Sequence, residues 1–196
     1  MAIRCGLCQT GTHMPSTIWT IGHSSRPIDG FTELLRAHKI RLLVDVRTNP
    51  RSRHNPQFTI DRLAESLKEA DLHYVHLPRL GGLRKARNNS INAGWRNASF
   101  RGYADYMQSE EFWKALEELT VYGQGGPTAI MCAEAVPWRC HRSLISDALT
   151  VRGWEVRHII SAQTTNAHVL TVSAKTDGTR LMYPKLTDPD SSPRLF

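Results

Sequence analysis

Two rhythms of apolar residues alternate between positions 17 and 160. Short apolar-rich runs read as strands: TIWTIGH (17–23), LLVDVR (42–47), HYVHLP (73–78), TAIMCA (128–133) and EVRHII (155–160). LLVDVR and TAIMCA are so continuously apolar that both faces of each must be covered. Between the runs the spacing turns helical. PIDGFTELLRAH (27–38) places Ile28, Phe31, Leu34 and Leu35 on one side, behind a proline suited to a first helical turn. TIDRLAESLKEA (59–70) does the same with Ile60, Leu63, Ala64 and Leu67, and Thr59 stands at its N-cap position. Residues 100–123 predict one broken helix or two short ones, and HRSLISDALTVRG (141–153) a helix with a glycine stop. Residues 79 to about 99 read as irregular, AHVLTVS (167–173) as a last edge strand, and DPDSSPRLF (188–196) as a loose tail.

Strands alternating with helices predict an α/β fold: a single Rossmann-like three-layer domain over 17–186 with a mostly parallel sheet of about five strands. Residues 1–16 form an N-terminal extension, in which GTHM (11–14) reads as a cloning scar, and 187–196 a C-terminal tail. No stretch approaches the roughly 18 apolar residues of a membrane span. With four cysteines the chain is no disulfide scaffold, and the expected compartment is the reducing cytoplasm.

In such sheets ligands bind beyond the carboxyl ends of the strands, so the residues after each strand carry the functional expectation. Gly22, His23 and Ser24 follow the first strand. Asp45 and Arg47 lie two apart on the second, on one face, and lead to Arg51. The third leads to Gly81 and Gly82, and the fourth ends at Cys132 and opens the loop AEAVPWRCHR, with Glu134, Arg139, Cys140, His141 and Arg142. A helix start after a strand-end cysteine supplies free N–H groups and a positive dipole end, which favour an anion and lower the pKa of a nearby thiol. Expected catalytic residues are therefore His23, Asp45, Cys132, Glu134 and His141. Gly22, Ser24, Arg47, Arg51, Gly81, Gly82, Arg139 and Arg142 are expected to bind substrate. Competing readings make Cys132 core and Arg142 a structural ion-pair partner of Glu134 or Asp45.

Charge sharpens this picture. The net charge is +7, carried by 19 Arg and 6 Lys, and arginine forks onto carboxylates and phosphates. The expected partner is an anionic small molecule or nucleotide. Residues 79–101 hold six basic and no acidic residues, with Trp95 and Phe100 interleaved, so nucleic acid is the alternative partner. Metal signals are weak. Cys5 and Cys8 make one C-x-x-C pair without a second, and Cys132, Cys140 and His141 offer ligands without a diagnostic spacing, so neither a metal nor a cofactor is assigned. A thiol or metal protein is the third reading.

Five ordered blocks resemble the family called domain of unknown function 488: TIGHS (20–24), LLVDVRTNPRSR (42–53), HYVHLPRLGG (73–82), FRGYADYM (100–107) and MCAEAVPWRCHRSL (131–144). The resemblance implies a compact α/β domain and no established reaction. It singles out Gly22, His23, Ser24, Asp45, Arg47, Pro50, Arg51, Ser52, Gly81, Gly82, Cys132, Glu134, Pro137, Cys140, His141 and Arg142.

Overall fold

The computed structural model describes residues 16–185. The expectations for Cys5, Cys8, GTHM and the C-terminal tail lie outside the described residues. Eight strands and five helices follow in order: β1 (Thr17–Gly22), α1 (Ile28–Ala37), β2 (Leu42–Asp45), α2 (Ile60–Glu69), β3 (His73–His76), α3 (Ala98–Tyr106), α4 (Glu110–Gly125), β4 (Thr128–Cys132), α5 (Arg142–Val151), β5 (Glu155–Ile159), β6 (Thr165–Ala167), β7 (Lys175–Asp177) and β8 (Arg180–Met182). Six strands make one sheet in the order β3-β2-β4-β1-β5-β6. The first five are mutually parallel, and β6 runs antiparallel along β5.

Strand parity divides the core into two layers. Ile18, Val44, Val46, Ile130 and Cys132 point to the face covered by α3, α4 and α5. Ile21, Leu43, Ala129 and Met131 point to the opposite face, covered by α1 and α2. Every residue of β4 is buried, as a strand sandwiched between helices requires. This is the Rossmann-like α/β arrangement that the alternating pattern predicts.

Local chemistry sets the breaks. The 100–123 region is two helices, because Ser109 accepts the Phe112 N–H and starts α4 afresh, while Asn97 caps α3 through Ser99. Gly153, with φ +83°, ends the turn after α5. Thr59 occupies the N-cap position of α2, but its hydroxyl donates to the Pro56 carbonyl and accepts no helix N–H. The edge strand falls at Thr165–Ala167, earlier than the AHVLTVS run predicts. Beyond Ala167 the chain is drawn off the sheet edge when His168 and the Thr171 N–H reach Asp147. The β7–β8 hairpin escaped the apolar pattern, since its strands are polar and short. Its two-residue turn is Gly178-Thr179, with the glycine supplying the positive φ of +58° that the first turn position needs.

A buried polar chain ties β1, β5, α5 and the segment after β8 together. Thr20 Oγ1 is 2.8 Å from His158 Nδ1, and His158 Nε2 is 3.1 Å from His168 Nδ1. His168 Nε2 is 2.9 Å from Asp147 Oδ1, and the Tyr183 hydroxyl donates to Asp147 Oδ2 at 2.9 Å. Burial, then the His168 and Arg142 charges, pulls the His158 pKa down to about 4. The unfolded chain takes up that proton near pH 6.5 and the folded one only near 4. Stability is therefore complete above about pH 6.5 and falls as pH drops toward 4, by up to about 1.4 kcal/mol per pH unit. Urea midpoints between pH 7 and 4.5 should fall with at least this slope, and His158→Asn should reduce it without abolishing it, because the pKa of His23 is also lowered to about 4. An unchanged slope in the variant would assign the acid sensitivity elsewhere.

Candidate functional site at the carboxyl rim of the sheet

The strand order creates a crevice between β1 and β4. The chain leaves β1 through α1 and passes β4 to reach β2, and it leaves β4 through α5 and passes β1 to reach β5. The two connections diverge on opposite faces, which opens the sheet rim at that point. Gly22 and Cys132 are register partners at the ends of β1 and β4. Beyond them the His23 N–H donates to the Cys132 carbonyl at 3.0 Å and the Ser24 N–H to the Ala133 carbonyl at 2.9 Å. The first and fourth strand-end loops thus run together above the sheet.

On the α1/α2 side, Asp45 is fully buried and its carboxylate is saturated. It accepts Arg47 Nε at 2.9 and 3.1 Å, Arg47 Nη2 at 2.6 Å, the Arg47 backbone N–H at 3.0 Å and the Tyr74 hydroxyl at 2.9 Å. Two-residue spacing at the end of β2 turns both side chains the same way, as expected. Arg47 Nη1 lies 3.2 Å from His23 Nε2. A guanidinium only donates, so Nε2 is the acceptor and Nδ1 carries the proton, given to the Ser24 carbonyl at 2.8 Å. The imidazole also stacks on Phe58, with centroids 4.2 Å apart. Burial in this stack, aided by the Arg47 and Arg142 charges and opposed by the Ser24 bond and Asp45, lowers its pKa to about 4. His23 is therefore a neutral imidazole of fixed tautomer near pH 7. Beside it lies a hollow of about 430 Å³ lined by Ser24, Arg47, Arg51, Ser52 and Glu134, among others.

On the other side of the rim, Cys132, Cys140 and His141 meet under a second hollow of about 400 Å³. Both cysteines are buried and unpaired. His141 Nδ1 is 3.6 Å from Cys140 Sγ and 3.9 Å from Cys132 Sγ, and Nε2 is 3.2 Å from the Val46 carbonyl. Cys132 donates its proton toward Cys140. That bond, then burial, pushes the Cys132 pKa up. The same bond holds Cys140 well below the ordinary thiol range, with His141 and Arg142 adding to it against burial. Arg142, 1% exposed, donates Nε to Cys140 Sγ at 3.4 Å, Nη1 to Thr20 Oγ1 at 3.5 Å and Nη2 to the Glu134 carbonyl. All three of its nitrogens are committed inward. Neither Glu134 nor Asp45 is its ion-pair partner among the described residues, and it lines neither rim hollow.

The remaining predicted residues fall around this centre. Arg139 is exposed and lines the hollow over the cysteines, Arg51 is exposed and lines the one beside His23, and Arg47, Asn49 and Glu134 line both. Gly82 lies against His141, where a Cβ would come within 2.5 Å of Nδ1. Gly81 lies against Thr48, where a Cβ would come within 2.8 Å of its Cα. These close approaches fix the LGG segment against the site. Sequence reasoning overlooked Tyr74, Phe58, Thr20 and the rim residue Thr48, and it read Phe100, which also lines the rim, only as a nucleic-acid aromatic. Tyr74 pairs with Leu43, two residues from Asp45, and so falls on the same face, a register that the sequence does not display. The basic 79–101 stretch is partly consumed within the fold. Arg79 pairs with Glu118, Arg84 stacks 3.6 Å over Tyr106 and bonds the Gly81 and Arg79 carbonyls, and Trp95 packs against Phe100 and Tyr183. No helix among the described residues is long and apolar enough to cross a membrane.

No curated protein and no solved structure matches the chain. A family model described as domain of unknown function DUF488 matches residues 27–149, from the start of α1 almost to the end of α5. The span includes every rim element except the end of β1 and the loop after it, with His23 and Ser24. The chain therefore belongs to the DUF488 family.

Proposed function

We propose that the protein is an enzyme acting on an anionic substrate of the phosphorylated or nucleotide-like class, bound across the two adjoining rim hollows. One observation carries this reading: Arg47, Arg51 and Arg139 line the hollows, and Glu134 is the one acidic residue that does. Arg51 and Arg139 are exposed and supply the charge that draws the anion in. Arg47, held by Asp45 and His23, is a fixed donor between the hollows, so it needs little reorganisation on binding. Glu134, exposed at their junction, is the group placed to move a proton. His23 acts as a positioning residue for Arg47, because both of its ring nitrogens are engaged. Nucleic acid is less well supported, since Trp95 is packed inward and is not a free stacking platform.

Calorimetric titration of the full chain with pyrophosphate and with nucleoside mono- and diphosphates tests the reading. Arg51→Ala and Arg139→Ala should each weaken binding about tenfold or more, at unchanged melting temperature, because each removes a charge-assisted contact from an exposed side chain. Glu134→Gln should bind as tightly and turn over more slowly. Absence of binding by all these anions, or wild-type affinity in both arginine variants, overturns the proposal.

A further inference from the structure

We infer that Cys132, Cys140 and His141 bind a divalent metal ion of the zinc class, through both sulfurs and His141 Nδ1, leaving a coordination position open toward the hollow that all three line. The three donor atoms all lie within 4.8 Å of one another. A tetrahedral zinc with bonds of about 2.3 Å to sulfur and about 2.0 Å to nitrogen places sulfur and nitrogen about 3.5 Å apart. The observed separations are 3.6 and 3.9 Å, so small side-chain adjustments close the site.

The tautomer is already the right one. The Val46 carbonyl can only accept, so His141 Nε2 holds the proton and Nδ1 turns its lone pair toward the two sulfurs. A ligating histidine that gives its other N–H to a backbone carbonyl is the usual supporting arrangement of a metal site. The Cys140 sulfur is supported in the same way. Arg142 Nε donates to Cys140 Sγ at 3.4 Å. Two thiolates and an imidazole suit zinc and its soft or borderline neighbours. Calcium and magnesium require oxygen ligands, which this trio does not offer. Three protein ligands, with the remaining position facing a cavity, is the pattern of a reactive site and not of a closed structural one.

The metal would act within the hollow proposed for the anion, yet the inference rests on the trio alone. Cobalt(II) alone is the probe, added to reduced, chelator-stripped full-length protein carrying Cys5→Ser and Cys8→Ser, which removes the N-terminal pair as a competing site. The expected result is one cobalt per chain with a sulfur-to-cobalt charge-transfer band, displaced by zinc. Cys132→Ser and Cys140→Ser should each weaken binding at least about a hundredfold. An absent band, or binding that survives both substitutions, overturns the inference, as does isolation of the pair as a Cys132–Cys140 disulfide that refuses metal after reduction. Should either serine variant fail to fold, alkylation of the Cys5→Ser, Cys8→Ser protein decides. One equivalent of zinc should shield Cys132 and Cys140 relative to the chelated protein, and equal labelling overturns the inference. Neither experiment contains a phosphate ligand, so its failure is separable from failure of the anion titrations.

Discussion

Gly22→Ala should lower the unfolding free energy by about 3 kcal/mol or more, the combined scale of an overpacked contact and the bonds it would break. The added methyl would press on the Glu134 carbonyl group, 2.7 Å from its carbon, and lie 2.9 Å from Ala135 Cα. Both neighbours are backbone, so no rotamer change relieves the contact. Lifting the 133–135 loop would strain the bonds from the Ser24 N–H to Ala133 and from Arg142 to the Glu134 carbonyl. The requirement is steric, because Gly22 lies within a strand and not in a left-handed conformation. Gly30→Ala is the control. Nothing lies within 4 Å of its Cβ position inside α1, so alanine there should stabilise by up to about 1 kcal/mol. Urea unfolding of the two variants checks both signs. A Gly22→Ala loss below about 1 kcal/mol would show that the loop yields freely.

Arg142→Met should cost about 2–3 kcal/mol, the scale for leaving buried acceptors without their donor. Arg142 is the largest fully buried side chain among the described residues, and it joins the end of β1, the 133–140 loop and Cys140. Its removal leaves the Glu134 carbonyl without its donor and Cys140 without the adjacent positive charge. Lysine cannot substitute, since one ammonium cannot serve three acceptors fixed in the plane of a guanidinium. Denaturation midpoints of Arg142→Met and Arg142→Lys check this, and a loss below about 1 kcal/mol in both would refute the network's weight. The effect differs in kind from that of Arg51 and Arg139. Those exposed arginines should alter ligand affinity and leave stability alone, whereas Arg142 should alter stability first.

The line between legible and illegible features runs through particular residues. LLVDVR and TAIMCA announce buried parallel strands because an uninterrupted apolar run is stable only when both faces are covered. The concentration of Gly22, His23, Arg47, Cys132 and Glu134 just after strands follows from the same reading, because parallel strands end at one rim. Which face each residue takes is harder to read. Asp45 faces α1 and α2, where the Arg47 it holds and His23 line one hollow, while Cys132, on the neighbouring strand, faces the other layer and lines the adjoining one. That outcome depends on register and strand order, and neither leaves a trace in local spacing. The motif treats Arg142 as equivalent to Arg139, yet one is sealed beneath the loop and the other lines the hollow.

Local chemistry in the chain was enough to specify an α/β protein, its main helices and strands, and the rim at which its polar groups collect. Apolar periodicity and the alternation of strand with helix act over a few residues, so they survive in one dimension. The folded arrangement settled the His23 and His141 tautomers, the inward commitment of Arg142, the Thr20–His158–His168–Asp147–Tyr183 chain and the meeting of Cys132 with Cys140 and His141. Each depends on angstrom-scale contacts between segments far apart in the chain. Those contacts exist only once the sheet has chosen its strand order and the loops have closed over its end.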